Sequence, residues 1–245
     1  RIRSFVIRLS MVERLTSRMK DRLNKYQRDY FVNALNEAKS ENIKGYVFDT
    51  RGSKSLAFHF LDNMSHHRIE VYKLAKDLSV QGKQFKKDDA YIIPVEQKYS
   101  KMIKAVMEDN LTFIDSTFYD ISAWTFTHAF NLNYAPVKST AGLVGKRIDN
   151  NTFHRGEVIG GKSNYGYLFD NVEFYSHKVI YELQKRGLYV SVSGRPFIFH
   201  SGDIKREMGY GTALVMAQNQ PLSSEEIYKL LVDLAAETGV DISSR

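Results

Sequence analysis

Gly45-Tyr46-Val47-Phe48-Asp49 decides how this chain is read, because it returns 121 residues later as Gly166-Tyr167-Leu168-Phe169-Asp170. Each copy is followed by a helix-patterned stretch, a β-rich stretch and an apolar strand that ends in glutamine. That strand is Ala90-Tyr91-Ile92-Ile93-Pro94-Val95-Glu96-Gln97 in the first copy and Thr212-Ala213-Leu214-Val215-Met216-Ala217-Gln218-Asn219-Gln220 in the second. A helix closes each. Order and spacing match over roughly 80 residues, which predicts two related units, each too long for a solenoid repeat. Strands alternating with helices predict the α/β class, two repeated α/β units with a largely parallel sheet covered on both faces.

Working outward, the spacing predicts a buried strand over 45–49, a helix over 54–66, a strand over 69–74, and a closing helix over 99–107. An aromatic segment, Phe118 to Trp124, follows. The second unit is expected to hold a strand at 167–169, a helix over 174–186, strands at 188–193 and 212–217, and a helix over 224–238. Ser223-Ser224-Glu225-Glu226 has the pattern that caps the start of that last helix, and Gly239 is placed to stop it. Upstream, Ser10-Met11-Val12-Glu13 reads as a capping box. From there Val12, Leu15, Met19, Leu23, Tyr26, Tyr30 and Ala34 form one apolar stripe at spacings of three and four, a long amphipathic helix reaching about Lys39. The expected division is therefore a helix in 1–44, a first unit in 45–130, a connector rich in Gly and Asn in 131–164, and a second unit in 165–245.

Composition excludes several classes of function. The 245 residues contain no cysteine, which removes disulfides, thiolate metal sites and a cysteine nucleophile. With 43% apolar residues the chain can bury a real core. No apolar run reaches the roughly 18 residues of a membrane span. The 35 basic and 28 acidic residues are interspersed without a long basic block, so the net charge of +7 does not point to nucleic acid. The first residues, Arg1-Ile2-Arg3-Ser4-Phe5, fit neither an initiator nor a signal peptide, as expected of a piece of a longer chain.

Three constellations bear on chemistry. Gly156-Glu157-Val158-Ile159-Gly160-Gly161-Lys162-Ser163 satisfies the letter of a phosphate loop, but that chemistry needs a helix after the loop, and here the repeat's strand follows. A turn through Gly160-Gly161 is expected instead. His67 and Glu70 with His200 have the spacing of a catalytic zinc site with two histidines and a carboxylate. Against this, Ile69 and Val71 should face the core of a strand, turning Glu70 to solvent. The third set is Asp49, Gln97, Asp170 and Gln220 at the strand ends, with Glu96 and Asn171 beside them. Repeated polar residues there could line a ligand cleft between the units, or they could accept bonds from turns and helix starts. Tyr119, Asp120 and Trp124 could line a pocket or pack one unit on the other.

The stretch Asn24-Lys25-Tyr26-Gln27-Arg28-Asp29-Tyr30-Phe31, the strands Gly45 to Asp49, Ile69 to Tyr72 and Ala90 to Gln97, and the segment Tyr119 to Trp124 together resemble the region downstream of the catalytic domain in large bacterial zinc carboxypeptidase-like proteins. The resemblance covers most of residues 10 to 240. It implies that the zinc ligands and catalytic glutamate lie in an upstream peptidase domain, that no cofactor belongs to this segment, and that the parent protein is exported or periplasmic. It further implies the upstream domain as partner, and a C-terminal glutamine-amidotransferase-like domain as a possible second one. On this reading the segment is a non-catalytic accessory region. The alternatives are a hydrolase or metallopeptidase with its own cleft between the units, and a small-ligand or saccharide-binding module.

Overall fold

A computed structural model describes residues 2–108, 126–201 and 204–245. Helix α1 (Ile2–Ser40) is 39 residues long, roughly 58 Å at ~1.5 Å per residue. It starts before the expected Ser10, because nothing between Ile2 and Leu9 breaks the helix, and a capping-box pattern marks a start only where the chain upstream is not helical. Its last turns are small: Ala34 and Ala38 are buried, Ser100 Oγ donates to Ala34 O at 2.9 Å, and the Phe31 ring meets Tyr99 edge-on.

The first unit runs β1 (Gly45–Asp49), α2 (Lys54–His66), β2 (Tyr72–Leu74), the hairpin β3 (Leu78–Val80) and β4 (Lys83–Phe85), β5 (Tyr91–Pro94), α3 (Ser100–Met107), α4 (Phe126–Ala129), β6 (Asn133–Val137) and β7 (Val144–Arg147). Its sheet has the order β6-β1-β5-β2-β7, and every neighbouring pair is antiparallel. The second unit runs β8 (Val158–Ile159), β9 (Gly166–Phe169), α5 (Ser176–Lys185), β10 (Val190–Val192), the hairpin β11 (Phe197–Ser201) and β12 (Ile204–Met208), β13 (Ala213–Met216), α6 (Ser224–Thr238) and β14 (Ile242–Ser244). Its sheet has the order β10-β13-β9-β14-β8. Only the β14–β8 pair is parallel among its described neighbours.

The expected fold class is therefore corrected: this is a mixed, mainly antiparallel architecture and not a largely parallel α/β one. The physical reason lies in the third strand. β1 and β2 do point the same way, joined by α2 as a parallel crossover requires. The chain then leaves β2 through a hairpin and not a helix, so β5 comes back antiparallel and inserts between β1 and β2. The orders β6-β1-β5-β2 and β14-β9-β13-β10 are equivalent, a βαββαβ arrangement of the split-βαβ kind with an extra hairpin after its second strand.

The stretch expected as a connector, 131–164, supplies β6 and β7 to the first sheet and β8 to the second. Pro136 sits inside β6, and this is tolerable because β6 is an edge strand whose missing N–H is not needed by a further neighbour. The polar tail, Asp241 to Arg245, holds β14. Ile242, Ser243 and Ser244 are buried.

One face of each sheet carries the helices. Tyr46, Phe48, Phe60, Met64, Ile93 and Ile103 make that core in the first unit, and Tyr167, Phe169, Val179, Leu183, Val215 and Leu231 make it in the second. The other face is covered by the hairpin, through Phe85 on Val47, Ile92 and Ala135 in the first unit and through Phe199 and Met208 on Leu168 in the second. Helix ends match their signals. Ser223 and Glu226 form the full capping box, and Gly239 takes the left-handed conformation at φ 76°. α2 and α5 end alike, with Ile69 N donating to Met64 O and Leu188 N to Leu183 O after left-handed Arg68 and Gly187.

Candidate functional site: the polar junction at the strand ends

The two glutamines perform one task twice. Gln97 Oε1 accepts from Glu70 N at 2.7 Å, and Nε2 donates to Glu70 O at 2.9 Å and Pro94 O at 2.8 Å. Gln220 Oε1 accepts from Tyr189 N at 2.8 Å, and Nε2 donates to Tyr189 O at 3.0 Å. Each side-chain amide thus pairs with a backbone residue just before β2 or β10, as a further strand residue would. Amide donors and acceptors spent on peptide groups in this way are architectural.

The aspartates differ. Asp49 Oδ1 accepts from Arg51 N at 2.9 Å and Oδ2 from Asn133 Nδ2 at 2.9 Å, tying the turn after β1 to β6. In the second unit, Asp170 Oδ1 and Asn171 Oδ1 are buried with no hydrogen-bond partner. Register explains part of this difference. Asp49 faces Asn133, whereas continuing the register of the β9–β14 pairing brings Asp170 opposite Asp241, whose side chain has no N–H to offer.

Asp241 is occupied instead by the first unit. Lys54 Nζ donates to its Oδ2 at 2.8 Å, and His154 Nε2 lies 3.1 Å from its Oδ1. His154 Nε2 is also 3.2 Å from Lys54 Nζ. One Nε2 cannot both donate and accept, and with the carboxylate ionised the donor role satisfies Asp241. Burial pushes the Asp241 carboxyl up, but the bonds from Lys54 and His154 outweigh it and hold it below the usual carboxylate range.

Beside this triad, Glu173 reaches from the second unit onto the start of α2. Its carboxylate takes Lys54 N at 2.6 Å, Ser55 N at 3.3 Å, Ser53 Oγ at 3.0 Å and Ser55 Oγ at 2.5 Å. An anion at a helix N-terminus meets free amides and the positive end of the dipole. One helical turn on, His59 Nε2 bonds Tyr175 OH at 2.8 Å, and Phe58 packs edge-on against Phe153. The first two turns of α2 are thereby fastened to the second unit and to the chain that leads into it.

A cleft of about 300 Å³ adjoins the junction, walled by Ser53, Lys54 and Phe58 of α2, by Lys73 and Tyr91, and by Asn151 and His154. Phe58 and Tyr91 are the aromatic side chains among its walls. Phe48 stacks on the Tyr91 ring at 5.4 Å between centroids, and Lys73 Nζ lies 4.1 Å from the same ring. Along the cleft the Ser53 and Ser55 hydroxyls contact the Glu173 carboxylate, His59 Nε2 bonds the Tyr175 hydroxyl and His154 Nε2 bonds Asp241.

The remaining sequence candidates scatter. His67 is exposed at the end of α2, with its N–H on Asn63 O. Glu70 bonds Arg147 Nη1 and the Tyr72 hydroxyl, both at 2.8 Å, and burial together with that bond raises the Tyr72 pKa. His200 sits on β11, in the hairpin of the other unit. The structure does not bring these three together, and no group of three or more His, Asp or Glu able to hold a metal occurs among the described residues. Gly160 and Gly161, at φ 94° and 72°, make a turn after β8 that leads into β9 without a helix. Glu96 is exposed, 4.0 Å from Lys39. Tyr119, Asp120 and Trp124 lie outside the described residues. No helix among the described residues is long and apolar enough to cross a membrane.

Comparison with protein-family models, with curated proteins and with solved structures found no match.

Proposed function

We propose that this chain is a non-catalytic accessory region of a zinc carboxypeptidase-like protein, supporting an upstream peptidase domain or binding that domain's substrate. What carries the reading is the employment of the polar side chains: Gln97, Gln220, Asp49, Glu70 and Glu173 are each bonded to backbone or to a structural partner. The resemblance in residues 10 to 240 supports the same assignment and implies that the zinc ligands and catalytic glutamate lie upstream.

The purified chain tests this. Elemental analysis should find far less than one zinc per chain, and peptides with a free C-terminal carboxylate should stay intact. One tightly held zinc per chain, lost in His67→Ala, would overturn the proposal.

A second reading, a small-ligand site, is favoured by one observation, the two buried acceptors Asp170 Oδ1 and Asn171 Oδ1 without protein donors. A donor-bearing ligand such as a primary amine should then shift the amide resonances of residues 170–171 and 209–211, and no shift would remove this reading.

A further inference from the structure

We propose that α1 pairs with α1 of a second copy of this chain as a parallel, in-register coiled coil, an inference independent of the functional reading above. The face it uses is unpartnered among the described residues: Val12 is 61% exposed, Leu23 46% and Tyr26 72%. Only the last third of α1 lies on the first unit, through Phe31, Ala34 and Ala38. Tyr30, with the Lys101 ammonium 4.9 Å from its ring, marks where the helix leaves the globular part.

The period of the stripe says what covers it. From Ile2 to Tyr30 the spacings alternate strictly between three and four: Ile2, Leu9, Thr16, Leu23 and Tyr30 fall at a, and Phe5, Val12, Met19 and Tyr26 at d. A helix lying on a globular surface follows the 3.6-residue turn, and its apolar face drifts about 20° per heptad against a seven-residue repeat. A repeat held for four heptads fits another helix of the same supercoil, and four is the length at which such a seam is stable enough to read. The polar member at a is already satisfied, since Thr16 Oγ1 donates to Val12 O at 2.6 Å. At the flanks of a parallel pair, Arg8 at g meets Glu13 at e of the second copy, Arg22 meets Gln27, and Leu15 meets the stem of Lys20. No like charges are set against each other there. A second copy therefore supplies the matching period together with one pair of opposite charges in the sequence and no opposed like charges.

The chain has no cysteine, so single cysteines report the seam cleanly. Sedimentation equilibrium of the full chain at micromolar concentration should give twice the chain mass. After mild oxidation Met19→Cys, at d, should run as a covalent dimer, and Asp21→Cys, on the outer face at f, should remain a single chain. Leu23→Asp/Tyr26→Asp should sediment as one chain with the near-ultraviolet signal of the two units unchanged. A single-chain mass for the unaltered protein would overturn the proposal, whether the stripe is bare or covered by another partner. So would a dimer in which Met19→Cys does not cross-link or Asp21→Cys cross-links equally, or a dimer that survives Leu23→Asp/Tyr26→Asp.

Discussion

Gln97 and Gln220 show how a residue can look like ligand chemistry and act as backbone. Each amide replaces a missing strand neighbour, so Gln97→Ala leaves the Glu70 peptide N–H and C=O without partners. We expect each alanine variant to lower the unfolding free energy by about 1–3 kcal/mol. Because the two sit in different units without shared partners, urea denaturation of the double variant should give the sum within about 0.5 kcal/mol. Asp241 makes a prediction with a sign. Its folded pKa is depressed, so its contribution is fully present above the unfolded value of about 3.9 and is lost as pH falls through the lower folded value. Stability measured across pH 5 to about 2 should therefore fall less steeply in Asp241→Asn than in the unaltered chain, and an equal slope would deny the bond to Lys54 and His154 its role. None of these pairings was legible beforehand. The identity of Gln97 and Gln220 in the repeat was visible, but the partner of a side-chain amide lies 27 or 31 residues away, and sequence spacing carries no distance.

At the scale of elements, sequence signals worked where they were local. Helix α2 starts at Lys54, where Ser53 Oγ accepts from Leu56 N, and α6 runs from Ser224 to Thr238 between its capping box and Gly239. They failed where an element depends on a distant neighbour. β6, β7 and β14 are short strands in stretches rich in Asn, Gly and Ser, and they exist because a sheet edge accepts them. The parallel sheet was the larger misreading: β-α-β alternation fixes the relative direction of β1 and β2 but not which strand lies between them. The same logic sets how α1 can be cut. Removing residues 1–29 should leave the unfolding midpoint of the two units nearly unchanged, since that part of the helix lies off the globular part. Removing residues 1–40 uncovers α3, takes away Ala34 and Ala38 and deletes the acceptor of Ser100 Oγ, and should lower stability by about 2 kcal/mol or more. Equal effects of both cuts would show α1 to be packed differently.

Across the whole molecule, two split-βαβ units are joined by the anion of one on the helix start of the other, beside ring contacts such as Phe58 with Phe153. Glu173 is the centre of that joint, with four donors on one carboxylate. Glu173→Ala should weaken it by about 1–3 kcal/mol and raise hydrogen exchange at the amides of Lys54 and Ser55 before any change elsewhere. The sequence hinted at neither half of this joint. The central claim is that the polar groups gathered at the strand ends hold architecture and do no chemistry. On the proposed function, its most direct test is to join the region to the proposed upstream peptidase domain and measure hydrolysis per folded molecule in Asp49→Asn, Gln97→Ala, Glu173→Ala and Gln220→Ala, one at a time, beside each variant's stability. We predict that stability falls and the turnover of the folded fraction stays within about twofold. A variant that keeps its stability and loses about a hundredfold in turnover, the scale of a missing general acid or base, would contradict it.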